Sequence, residues 1–120
     1  MDDVYELFQR GMALLESGDF NQAVVPLSKA AAIEPEKTSV REALGRAYFR
    51  SRHFEEAAVE FQAVVERAPT NDYALYCLGR ALMQCGRPAE ARKPLVLAAN
   101  LRPDRRDYRI HRDRARARAA

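Results

Sequence analysis

Apolar residues recur along this chain at helical spacing, and the recurrence itself repeats. Gly11, Gly45 and Gly79 stand 34 residues apart, as do Ala23, Ala57 and Ala91, and Pro35, Pro69 and Pro103. The same interval links Ala13, Ala47 and Ala81, then Leu14, Tyr48 and Leu82. It also links Leu27, Phe61 and Leu95, and Ala30, Val64 and Ala98. Seven columns in one register divide the chain into units at 4–37, 38–71 and 72–105.

Each unit predicts two helices. The first carries a small residue beside large apolar ones, as in Leu7–Gly11–Leu14, Leu44–Gly45–Tyr48 and Leu78–Gly79–Leu82. A glycine inside a helix costs about 1 kcal/mol relative to alanine. Its return in every unit therefore predicts a second helix approaching too closely for a Cβ. Short turns follow, reading SGDF, SRHF and CGRP. The second helix then sets Ala23–Leu27–Ala30, Ala57–Phe61–Val64 and Ala91–Leu95–Ala98 on one face at i, i+4, i+7. Pro35, Pro69 and Pro103 close the units, since proline cannot continue a helix and restrains the residue before it.

These marks resemble the tetratricopeptide repeat family over roughly residues 4–105. The resemblance implies an all-α solenoid of three helical hairpins stacked as a right-handed superhelix, with first helices lining a concave face. Stacking also follows from the physics, because one hairpin alone cannot bury its apolar face. Two departures stand out. The tryptophan that the family often places early in each unit is replaced by Leu7, Arg41 and Leu75. Prolines at Pro26 and Pro94 fall inside two second helices, with Glu60 at the matching place in the middle unit. Each proline removes a backbone donor and is expected to bend or loosen the start of its helix.

The charge is uneven. From Asp104 onward there are seven Arg against three Asp, a charge of +4, so the preceding 103 residues carry −1 of the formal +3. Residues 106–120 are expected to form a basic capping helix, which stacked repeats need as a polar lid. Asp104 and Asp107 read as its start, Asp113 as a partner for Arg109 and Arg116, and Tyr108, Ala115 and Ala119 as its apolar face. A nucleic-acid arm is the weaker reading of this Arg run, because aromatic residues do not alternate with its arginines.

The acidic start MDDVYELFQR lacks the pattern of a secretory leader, and no apolar stretch is long enough to span a membrane. Cys77 and Cys85, eight residues apart in one helix, would lie roughly 12 Å apart, too far for a disulfide. Reduced thiols without a leader point to the cytoplasm. No catalytic, metal or cofactor set can be assembled. His53 and His111 belong to no zinc spacing, every glycine is explained by packing or turns, and neither cysteine has an activating histidine.

Protein binding is therefore the expected activity, with no enzyme chemistry and no cofactor. Tyr5, Phe8, Met12 and Leu15 form a second apolar stripe on the first helix, which should face the groove. The 34-residue register brings Ser39, Glu42, Arg46 and Phe49 to the same places in the second unit, and Tyr73, Tyr76, Arg80 and Met83 in the third. Aromatic rings and methionines with a few arginines characterise contact surfaces. Such a groove suits a peptide or helix of another protein with acidic and bulky apolar residues. Some family members clamp the C-terminal carboxylate of a chaperone with Lys, Asn and Arg. The corresponding places here hold Phe8, Met12, Ala43, Tyr73 and Cys77, so that clamp is not expected. The alternative is self-assembly, as a homodimer through the first helix, whose apolar surplus has no preceding unit to cover it.

Overall fold

The computed structural model describes residues 3–120. The helices are α1 Val4–Glu16, α2 Phe20–Ile33, α3 Thr38–Arg50, α4 Phe54–Arg67, α5 Asp72–Gln84, α6 Pro88–Leu101 and α7 Arg106–Ala119. No strand occurs among the described residues. Hairpins α1–α2, α3–α4 and α5–α6 stack along the 50 Å axis of an α-solenoid. No helix among the described residues is long and apolar enough to cross a membrane.

One turn closes all three hairpins. Gly18, Arg52 and Gly86 take positive φ of 83°, 67° and 73°. The next amide reaches back to the first helix, as Asp19 N–H to Leu14 O, His53 N–H to Tyr48 O and Arg87 N–H to Leu82 O. This satisfies carbonyls that a helix end leaves unpaired. Arg52 occupies the left-handed region without glycine's freedom, at a cost of roughly 1 kcal/mol.

The repeated glycines seat the side chains that face them. A Cβ at Gly11 would overlap Leu27, one at Gly79 would overlap Leu95, and one at Gly45 would meet the Phe61 ring at 3.0 Å. Leu27, Phe61 and Leu95 are all buried, so each pair forms the centre of its hairpin. Pro26 and Pro94 are buried, and α2 and α6 run through them without a break. The carbonyls they leave without a helical donor belong to Gln22 and Glu90, which lie in exposed first turns where water can serve them.

Helix α7 begins 34 residues after α5 and takes the place of a further first helix, packed mainly on α6. Tyr108 and Ala115 are fully buried, and Ala119 is half-buried on the same face. The Tyr108 hydroxyl donates to Asp72 Oδ2 at 2.7 Å, and its ring stacks on Tyr76 with centroids 4.5 Å apart. Helix α7 has Asp107 in its first turn, and no aspartate stands at its N-cap. Asp104 and Asp107 pair with Arg102 and Arg105, and the helix opens at Arg106. Asp113 pairs with its neighbour Arg112 instead of Arg109, which turns back to the Pro103 carbonyl.

Candidate partner-binding groove

First helices of successive hairpins touch along one side of the solenoid, α1 with α3 and α5 with α7. A cavity of about 210 Å³ opens between α1, α3 and α5 on this side. Of the residues expected in a groove, Leu15, Arg46, Phe49, Tyr73, Tyr76 and Arg80 line it. Phe20, Arg50, Phe61 and Cys77 complete the wall. No carboxylate lines the cavity, and neither Arg46 nor Arg80 forms an ion pair among the described residues.

Two of the three arginines of the cavity, Arg80 and Arg50, lie over rings. The Arg80 guanidinium lies 5.1 Å from the Phe49 centroid and 5.6 Å from that of Tyr76, bridging α3 and α5. Arg50 lies 4.3 Å from the Phe20 centroid. Burial, and then the neighbouring Cys77 thiol, push the Tyr73 phenol up to about 12. Burial likewise pushes Cys77 up to about 11, so both groups are neutral near pH 7. The cavity therefore offers positive charge, aromatic faces and neutral hydrogen-bonding groups.

Six expected residues stand outside this cavity, among them Ser39, which is exposed on α3. Tyr5 is exposed on α1, while Phe8 and Met12 are half-buried against the core of the first hairpin. Met83 packs beside the core of the third hairpin, and Glu42 lies near Tyr73 and Cys77 without lining the cavity. Two that do line it are not the exposed stripe residues expected. Leu15, four residues beyond Gly11 on the same face, is buried in the first core, while Leu14 is only half-buried. Tyr76 is buried because α7 covers it, with Tyr108 stacked on its ring and His111 edge-on at 5.4 Å.

The sequence reading missed Phe20, Arg50, Phe61 and Cys77. Arg50 was detectable, since it follows Arg46 by one i, i+4 step on the same helix face. Phe20 comes from a second helix, and only the fold of the hairpin brings it to this wall. A larger hollow of about 730 Å³ lies between α4 and α6 over Leu75, Leu78 and Leu82. Its rim mixes Arg41, Arg87 and Lys93 with Glu55, Glu66 and Glu90, so it favours no ligand charge.

One tetratricopeptide repeat family matches residues 42–106, and a second matches residues 14–69. No curated protein matches the sequence. Among solved structures, MamA 41-end from Desulfovibrio magneticus RS-1 is 26% identical with a TM-score of 0.91, over 97% of this chain and 66% of that one. MamA MSR-1 is 25% identical with a TM-score of 0.88, over 95% and 66%. The chain thus spans just under two thirds of the length of these MamA chains. The first TPR of Spaghetti (RPAP3), bound to the HSP90 peptide SRMEEVD, is 19% identical with a TM-score of 0.88, over 98% and 94%, and is alike in fold.

Proposed function

Because the chain belongs to the tetratricopeptide repeat family, a family of protein-interaction modules, we propose that it holds an acidic and apolar segment of another protein against α3 and α5. One observation carries this reading. Arg46, Arg50 and Arg80 surround a single aromatic cavity that contains no carboxylate of its own. Guanidinium groups make charge-assisted, often bidentate bonds to carboxylates, and the rings of Phe49, Tyr73 and Tyr76 suit bulky apolar neighbours. The Spaghetti domain bound to SRMEEVD shows that this fold accommodates an acidic peptide. The contacts must differ here, because Phe8, Met12, Ala43, Tyr73 and Cys77 occupy the clamp positions.

The test is a partner recovered by pull-down and measured against Arg46→Glu/Arg80→Glu. Reversing both charges should cost at least about 2 kcal/mol of binding, since attraction becomes repulsion. The fold should survive, as both side chains are only half-buried at a surface. An unchanged affinity in a folded double variant would move the binding surface elsewhere. Self-association through α1 is the second reading, favoured by Tyr5, which is 67% exposed. A constant monomer mass across dilute and concentrated samples would remove it.

A further inference from the structure

Arg46 is the ninth residue of α3 and Arg80 the ninth of α5. The ninth residue of α7 is Arg114, again 34 positions on. Helix α7 stands in register as a further first helix, so these three arginines occupy equivalent places on successive helices. Arg114 is exposed and forms no ion pair among the described residues. The acid nearest its column on α7, Asp107, is engaged by Arg105 at 2.7 Å. His111 links the last two members of the row. It packs on Tyr76, and Arg80 and Arg114 both act on its imidazole. Ile110, 37% exposed, follows Tyr76 by the same interval of 34 and continues its column.

The geometry points to a binding row that extends beyond the third hairpin, with Arg46, Arg80 and Arg114 receiving three successive acidic side chains of one extended partner segment. This rests on the groove reading above and adds α7 to it. Where first helices pack together, as α5 and α7 do, their axes lie about 8–10 Å apart. A polyproline-type chain rises about 3.1 Å per residue with three residues per turn, so every third side chain returns to one side after roughly 9 Å. Acids at every third position therefore match the row. An α-helix with side chains is about 10–12 Å across and would lie over the 210 Å³ cavity, whereas an extended segment can send single side chains into it. The residues between the acids would meet Phe49 and Ile110.

The experiment uses two fluorescein-labelled peptides, Glu-Pro-Leu repeated three times and the same unit repeated twice, titrated at low salt. The three-unit peptide should bind wild type at least about five-fold more tightly than the two-unit peptide. Arg114→Gln should erase that advantage while leaving the two-unit affinity within about two-fold. Equal binding of the two peptides to wild type overturns the row. So does an advantage that survives Arg114→Gln while Arg46→Gln and Arg80→Gln weaken both peptides, and in that case the groove reading stands. If neither peptide binds, or no arginine substitution matters, the groove reading falls with the row. Unchanged thermal melting of Arg114→Gln excludes a folding effect.

Discussion

Arg41 of α3 and Glu60 of α4 are joined by a 2.9 Å bond from Nη1 to Oε1, and each replaces an apolar residue of the neighbouring hairpins. Arg41 stands where the other units have Leu7 and Leu75, and Glu60 where they have Pro26 and Pro94. The two polar substitutions of the middle unit are thus one feature, a half-buried ion pair whose arginine also bonds the Pro35 carbonyl at 2.9 Å. Arg41→Leu strands Glu60, which is 8% exposed, and should cost about 2–3 kcal/mol. Arg41→Leu/Glu60→Leu should recover most of that loss, because an apolar pair of similar volume replaces a buried charge pair at little cost. Urea unfolding of the single and double variants measures both. A double variant less stable than Arg41→Leu would refute the coupling.

The three glycine seats are unequal. A Cβ at Gly79 meets the branch point of Leu95, which is fully buried and would have to shift. Gly79→Ala should therefore lower stability by about 1–3 kcal/mol, despite the helix propensity it gains. At Gly45 the Cβ meets ring carbons of Phe61 at 3.0 Å, where a slight tilt suffices. Gly45→Ala should stay within about 1 kcal/mol of wild type. Thermal melts of the two variants should rank in that order.

Tyr108 fastens α7 by its ring and by its hydroxyl. Tyr108→Phe keeps the stack on Tyr76 but loses the bond to Asp72, for a cost of about 1–2 kcal/mol. Tyr108→Ala also removes a fully buried ring and should cost about 3–5 kcal/mol. Hydrogen exchange should then show α7 and the start of α5 opening together. Retained protection of α7 in Tyr108→Ala would show that another contact holds it.

His111 should make that attachment sensitive to pH. Burial against Tyr76, and then the charges of Arg80 and Arg114, hold its imidazole below the ordinary value of 6.5, with Asp107 opposing. Its contribution is fully present above 6.5 and lost as pH falls, because the unfolded chain takes the proton first. The melting temperature should decline between about pH 7 and pH 5.5, and His111→Gln should flatten that decline. An identical slope in the variant would exclude His111 as its source.

The 34-residue register of small, large and closing residues by itself determined six helices in three hairpins, and the spacing of Asp, Arg, Tyr108 and Ala115 in the tail pointed to a seventh. Each of those columns acts within a few turns of chain, where 3.6-residue periodicity and short turns leave little choice. Glycine and its partner sixteen residues later, as in Gly11 and Leu27, are legible because both recur in every copy. The groove was legible as far as one helix face could be counted, which brought out Arg46, Phe49, Tyr73 and Arg80. Only the tertiary structure buried Tyr76 beneath α7, brought Phe20 from a second helix to the cavity wall and paired Arg41 with Glu60. It also set Arg114 in line with Arg46 and Arg80, by docking α7 as a further first helix. Periodicity along one helix orders side chains around its own axis. Which of them meet solvent, a ring or an opposite charge depends on the helices packed alongside, and docking the whole solenoid decides that.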